Sequence, residues 1–110
     1  MSTVAQSSGE RVADQASSPG GALIRVFVIC NKKGLHARAS AKFVQAVEKF
    51  DAEVRVTRGN ETVGGTSIMG LMMLAAGPGT TITVEATGRE AKEVIEALTH
   101  LITGRFTEVE

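Results

Sequence analysis

A histidine and an arginine stand close together in the pentapeptide Gly34-Leu35-His36-Ala37-Arg38, at the predicted start of a helix. The amino-terminal end of a helix carries unpaired N–H groups and about half a positive charge, which favour a phosphate group. The guanidinium of Arg38 is always charged, and its fork of donors matches the oxygens of a phosphoryl group. A phosphorylated imidazole keeps a reactive P–N bond. The pair is therefore suited to a chemistry in which His36 accepts a phosphoryl group and passes it on, with Arg38 as a second anion-binding element.

Purely structural roles also explain this pentapeptide when it is taken alone. His36 can merely begin the helix, and Arg38 can be a solvated surface charge. Gly34 can supply the backbone angles that turn the chain into the helix. The pentapeptide by itself does not decide between these interpretations.

Ser67 stands directly before the apolar segment Ile68-Met69-Gly70-Leu71-Met72. A serine there is first of all an N-cap, whose hydroxyl accepts a hydrogen bond from an unpaired backbone N–H and contributes about 1 kcal/mol. Phosphorylation of the same hydroxyl would add about two negative charges beside an apolar surface and would block a partner by repulsion and desolvation. Both roles are open at this point.

Three apolar side chains after Ser67 are candidates for a docking surface. Ile68, Leu71 and Met72 cannot all point inward, because the short helix is apolar on every side. An exposed apolar patch on a small protein usually marks a docking surface, and methionine adapts to several partners. The alternative is a helix that is buried more deeply.

The remaining candidates for chemistry are Cys30, the only cysteine, and His100. Cys30 precedes His36 closely but has no third residue to support a nucleophilic pair, so we interpret it as a small apolar side chain. His100 falls nearly opposite Ala91 on the last helix and is expected to be solvated. Two histidines and one cysteine without ligand spacing predict no metal site. We expect no cofactor.

Composition excludes several classes of protein. The 110 residues include 12 basic and 12 acidic side chains, spread along the chain, with no Trp or Tyr. Nucleic acid is therefore not an expected partner. A lone cysteine indicates a reducing compartment, and no segment approaches the about 18 consecutive apolar residues of a membrane span. We expect a soluble, cytoplasmic monomer that does not bind membranes.

The chain divides into a tail and one domain. Residues 1–21 are mostly small or polar and predict a disordered tail, and 22–110 form the domain.

Thr87 and Glu90, before the last predicted helix, have the spacing of a capping box. The succession of elements predicts an α+β fold, in which an antiparallel sheet has its helices on one face. The predicted elements are a strand over 23–29, a helix over 36–50, a strand over 52–57, a turn at 58–60, a strand over 61–66, a short helix over 67–75, a strand over 80–86 and a helix over 91–102.

Taken together and at this separation, the segments around His36 and Ser67 resemble the HPr family, the histidine-containing phosphocarriers of bacterial phosphotransferase systems. The resemblance covers about residues 23–107. It implies the family's open-faced β-sandwich (βαββαβα), with a four-stranded antiparallel sheet covered on one face by three helices. It also implies that phospho-Enzyme I phosphorylates His36 on Nδ1, that Arg38 assists, and that an Enzyme IIA-type protein receives the group.

The resemblance also assigns regulation and docking. Ser67 matches a regulatory serine, the target of an HPr serine kinase/phosphorylase in many relatives. Ile68 and Met72 match docking positions for Enzyme I and Enzyme IIA, together with the start of the first helix at Ala37. Leu71 is expected to share this surface.

Some residues depart from the sugar-transport branch of the family. Ala39 stands where proline is usual, and Gln45 and Glu48 occupy helix positions that are often basic there. The segments 50–54 and 84–88 look like the nitrogen-related branch. We therefore expect a regulatory phosphotransfer chain rather than bulk sugar uptake.

Two other functions are considered. A non-catalytic regulatory module would keep the fold and the Ser67 switch and would bind a transcription factor or kinase, but relatives of that kind lack the histidine that is present at position 36. A small phosphate-ester or acyl-phosphate hydrolase could use Arg38 as its anion site. It would also need a general acid-base or water-orienting partner, and the loop offers none.

Overall fold

The computed structural model of the protein describes residues 17–18 and 22–108. Over these residues one antiparallel sheet carries three helices on one face. The strands are β1 (Ser17–Ser18), β2 (Ala22–Val28), β3 (Glu53–Arg58), β4 (Glu61–Gly64) and β5 (Thr81–Thr87), and the helices are α1 (Ala37–Glu48), α2 (Ile68–Met73) and α3 (Ala91–Thr103), followed by a short 3₁₀ turn over Arg105–Thr107.

The sheet has the strand order β1-β2-β5-β3-β4. Arg58 pairs with Glu61, so Gly59 and Asn60 form the two-residue turn of a hairpin, as the sequence predicts. The expected four-stranded antiparallel sheet, β2 to β5, is confirmed. The two-residue strand β1 extends its edge by pairing with β2. It falls in the predicted tail, whose other residues lie outside the described part of the chain.

The core lies between the helices and one face of the sheet. Alternation along β5 turns every second side chain toward the helices, which is the pattern that the sequence shows there. Fully buried aliphatic and aromatic side chains each contribute about 1.5–3 kcal/mol to folding. The largest of them include Phe43, Val47, Val56, Leu71, Ile82, Val84, Val94, Leu98, Ile102 and Phe106.

The predicted capping box before α3 is wrong. Glu90 is the N-cap of α3, but no side chain makes a capping hydrogen bond there. The carboxylate of Glu90 instead accepts a hydrogen bond of 2.6 Å from the backbone N–H of Asp51. This contact ties the start of α3 to the loop that follows α1, and the side chain is not available to cap the helix.

The chain continues past α3 in an unusual conformation. Arg105, Phe106 and Thr107 have positive φ angles of 58°, 55° and 53°. Left-handed backbone costs about 1–2 kcal/mol for each such residue. Burial of Phe106 offsets this cost, and so does the ammonium of Lys42, which donates to the carbonyl of Phe106 at 2.7 Å and to the Thr107 hydroxyl. The turn leads the chain back to the beginning of α1, where Glu108 meets His36.

Candidate functional site

His36 is the N-cap of α1, in extended backbone conformation. Its ring nitrogen Nδ1 accepts a hydrogen bond of 3.3 Å from the backbone N–H of Arg38. Nδ1 therefore carries a lone pair rather than a proton, and Nε2 carries the proton. The side chain is 30 % exposed, so the ring is held on one side and open to a partner on the other. The expectation that His36 begins the helix is confirmed.

The carboxylate of Glu108 lies at the other ring nitrogen, 3.2 Å from Nε2. One of its oxygens accepts hydrogen bonds from the backbone N–H groups of Lys32 and Lys33, at 2.7 and 3.3 Å. Asn31 donates to the other oxygen at 3.4 Å. Burial by itself raises the pKa of Glu108, but these hydrogen bonds outweigh it and hold the pKa below its ordinary value. The group at Nε2 is thus a carboxylate at neutral pH.

The loop before α1 fixes the position of His36. Gly34 has a φ of +66°, and a Cβ atom there would lie 2.4 Å from the carbonyl oxygen of Ala76. The same carbonyl accepts a hydrogen bond of 3.0 Å from the N–H of Leu35. Asn31, which is fully buried, donates to the carbonyl of Gly34 at 2.8 Å. Only glycine fits at this close approach, so the backbone role that the sequence suggests for Gly34 is confirmed.

Positive charge surrounds the ring. Arg38 is exposed, and over the described residues its guanidinium has no hydrogen-bond or ion-pair partner, so it is free to move toward an anion. Lys33 and Lys42 bring two further cations to the same cleft, which has a volume of about 410 Å³. The cleft is lined by Lys33, His36, Ala37, Arg38, Ala39, Lys42, Phe106, Thr107 and Glu108.

Ser67 is the N-cap of α2, as predicted. Its hydroxyl oxygen accepts a hydrogen bond of 2.9 Å from the backbone N–H of Gly70. The residue is exposed, and a Cβ atom on Gly70 would crowd that oxygen at 2.9 Å. The phosphorylation of Ser67 remains a prediction.

The apolar surface of α2 differs in part from the expectation. Ile68 and Met72 are exposed, at 40 % and 39 %, as predicted. Leu71 is fully buried in the core, so its assignment to the docking surface is wrong. The helical geometry of α2 points Leu71 into the core. It leaves the side chains of Met69 and Met73 on the surface, 68 % and 71 % exposed. Met69 and Met73 are not among the residues predicted for the docking surface, although the helical period separates them from Leu71.

The other candidate residues lie apart from the ring. Cys30 is exposed, and its thiol donates to the carbonyl of Ile102 at 3.3 Å. His100 is exposed, as expected. Among residues 17–18 and 22–108, no group of three or more His, Cys, Asp or Glu side chains is arranged to hold a metal ion. No helix in the same part of the chain is long and apolar enough to span a bilayer.

Comparisons with known proteins show the family of the chain. The model of the family described as "PTS HPr component phosphorylation site" matches residues 24–104. The phosphocarrier protein HPr of Neisseria meningitidis is 55 % identical over 82 residues, which are 74 % of this chain and 92 % of that protein. The phosphocarrier protein NPr of Shewanella violacea is 40 % identical over 86 residues, 78 % of this chain and 94 % of that protein. The crystal structure of HPr-C-His from Thermoanaerobacter tengcongensis superposes with a TM-score of 0.76 at 39 % identity, covering 80 % of this chain and 99 % of that one. The chain belongs to the HPr family of phosphocarrier proteins of the phosphotransferase system.

Proposed function

We propose that His36 takes a phosphoryl group from phospho-Enzyme I on its Nδ1 atom and passes it to an Enzyme IIA-type protein. The orientation of the ring carries this proposal, because the Nδ1 lone pair points at the first turn of α1. A phosphoryl group on Nδ1 would lie at the first turn of α1, where the N–H groups have no intrahelical partner. The N–H of Arg38, which donates to Nδ1 in the free protein, would then donate to a phosphoryl oxygen. The protein is phosphorylated and then dephosphorylated in each round of transfer, so it is a carrier and not a catalyst.

Arg38 serves as the mobile cation of this transfer. Its exposed guanidinium can reach either the bound phosphoryl group or the group on a docked partner. Bidentate hydrogen bonds from arginine fit two phosphoryl oxygens and neutralise charge as it builds up.

The exposed side chains of α2 form the docking surface, together with Ala37 at the start of α1. Ile68, Met69, Met72 and Met73 present flexible apolar surface, which suits an interface that must accept both a donor and an acceptor protein. A small interface of this kind favours short-lived complexes.

Ser67 lies at the edge of the docking surface and is its regulatory site. Because its hydroxyl is exposed, a serine kinase of the HPr kinase/phosphorylase type can reach it. The added phosphate would stand next to Ile68 and would oppose docking through the desolvation of its charge.

The protein works in the cytoplasm as a monomer, in a regulatory, nitrogen-type chain. Gln45 and Glu48 support this branch, since both are exposed on α1 and offer no positive charge to an acidic sugar-permease domain. The names of the relatives do not separate the branches, because HPr and NPr proteins both match over most of their length.

Labelled phosphoenolpyruvate and Enzyme I test the proposal directly. The wild-type protein should take up acid-labile label, the His36→Ala variant should not, and the label should then move to a nitrogen-type Enzyme IIA faster than to a sugar-type one. Faster transfer to the sugar-type acceptor would overturn only the assignment to the nitrogen-type branch and would leave the carrier role intact. Absence of label on the wild type, with a serine kinase still modifying Ser67, would leave a regulatory binding module controlled by Ser67.

A further inference from the structure

The place of Glu108 at the phosphoryl-accepting ring is not explained by uptake and release of the group alone. Its side chain is only 9 % exposed, although it follows the last turn of the described chain. It is held there by the three successive left-handed residues before it, whose backbone cost must be met by the contacts they allow. A carboxylate placed at such a cost beside a reactive histidine is a candidate for a role in the reaction.

We propose that Glu108 is a positioning residue that keeps the proton on His36 Nε2 and offsets the positive charge of the ring while Nδ1 carries the phosphoryl group. The inference rests on the proposed function of His36. It adds a residue that is distant from His36 in the sequence and that the segments around His36 and Ser67 do not include.

The transfer makes the ring of His36 a cation, which a nearby negative charge stabilises. The Nδ1 lone pair forms a bond to phosphorus while the bond from phosphorus to the donor breaks, and that electron pair leaves with the donor. Nε2 keeps its proton throughout, so the phosphorylated ring is a cation. On onward transfer the P–N bond breaks, its electron pair returns to Nδ1, and His36 leaves as a neutral imidazole. No proton needs to move in either direction as long as Nε2 remains protonated.

The other charged groups around the ring oppose this cation. Lys33, Arg38 and Lys42 line the same cleft and repel a positively charged imidazole. Glu108 is the only carboxylate among the described residues that line it. Its hydrogen bonds to backbone N–H groups keep it ionised, and it lies 3.2 Å from Nε2. Glu108 is thus the group that makes a cationic, transfer-competent ring acceptable in a cleft suited to anions.

The amide variant Glu108→Gln separates this role from a purely structural one. Glutamine has the same shape but no charge, and its single amide oxygen can accept either from the backbone N–H groups of Lys32 and Lys33 or from the ring. The ring is phosphorylated with phosphoramidate, which needs no Enzyme I, in a His100→Gln background so that His36 is the only histidine. Nitrogen-15 spectra of the labelled ring then follow the proton on Nε2 as the pH rises.

We expect the phosphorylated ring of Glu108→Gln to lose its Nε2 proton about one pH unit below the wild-type ring, since a nearby opposite charge shifts such a midpoint by about 1–3 units and partial exposure reduces the effect. Uptake from phosphoramidate should slow by about tenfold, which corresponds to one such unit. Glu96→Gln, an exposed change on α3, is the matched control and should alter neither quantity.

An unchanged midpoint in Glu108→Gln would overturn the proposal, even if the variant melts at a lower temperature. Glu108→Asp, which keeps the charge on a shorter side chain, guards against a variant that fails to fold. Its midpoint should lie above that of the glutamine variant, or above that of Glu108→Ala if the glutamine variant does not fold, and equal midpoints would also overturn the proposal. Failure of Enzyme I to label the wild type would instead count against the proposed function, because the phosphoramidate experiment does not depend on it.

Discussion

Replacing Gly34 by alanine should move His36 and destabilise the domain. A left-handed alanine costs about 1 kcal/mol relative to glycine at a φ of +66°. The new Cβ atom would also lie 2.4 Å from the carbonyl oxygen of Ala76 and 2.8 Å from Cα of Gly77. Both are backbone atoms, so one of the two segments must shift by about 1 Å to reach an ordinary contact.

The shift breaks a specific contact. It separates the N–H of Leu35 from the Ala76 carbonyl, which are hydrogen-bonded at 3.0 Å, and Leu35 is only 5 % exposed. Leaving a buried N–H without a partner costs about 1–3 kcal/mol. We therefore expect Gly34→Ala to lower the free energy of unfolding by about 2–4 kcal/mol in urea denaturation, the sum of this loss and the backbone cost.

Gly59→Ala is the matched control for this experiment. Gly59 has a φ of +61°, but a Cβ atom there would meet no heavy atom within 4 Å. Its substitution should cost only the backbone contribution of about 1 kcal/mol. Transfer from Enzyme I should slow by at least about tenfold in Gly34→Ala, because the ring loses its alignment, and should be unchanged in Gly59→Ala. Equal losses of stability in the two variants would refute the contact argument.

Three further predictions concern residues around the site and on α2. Arg38→Ala should slow transfer by at least about tenfold while thermal unfolding stays within about 0.5 kcal/mol of wild type, and a wild-type rate in the Enzyme I assay would remove its role. Ser67→Asp should keep the stability of α2, because aspartate is also a good N-cap, and should weaken Enzyme I binding in calorimetry by about tenfold, whereas equal affinity would count against the docking surface. Leu71→Ala should destabilise the protein by about 2–5 kcal/mol in urea denaturation and Met73→Ala by less than about 0.5 kcal/mol, and similar losses would contradict the burial of Leu71.

The sequence predicts most of the fold because its local signals agree. Alternation over 80–86 and the helical stripe over 91–102 each match an element of the structure. One wrong assignment arises where a side chain has two possible partners. Glu90 has the spacing of a cap, but it binds the N–H of Asp51, and spacing alone does not reveal that competition.

The sequence predicts only part of the candidate site. His36 and Arg38 are recognisable because neighbours in the chain share one helix start, whose chemistry follows from general principles. Glu108 contacts the same ring although it lies 72 residues further along the chain. Its approach depends on the tertiary contacts of α1 with the end of the chain, through Lys42 and the buried Phe106.

The left-handed turn after α3 explains why no local signal marks Glu108. Glycine and asparagine are the usual residues at positive φ, and neither occurs at positions 105–107 to indicate such a turn. Arg105, Phe106 and Thr107 instead adopt this backbone because Phe106 fills the core and Lys42 bonds the turn. Tertiary packing thus overrides local preference in the segment that carries the carboxylate of Glu108 to the ring of His36. One ring nitrogen is held by the start of α1 and the other by a residue that follows α3 in the chain.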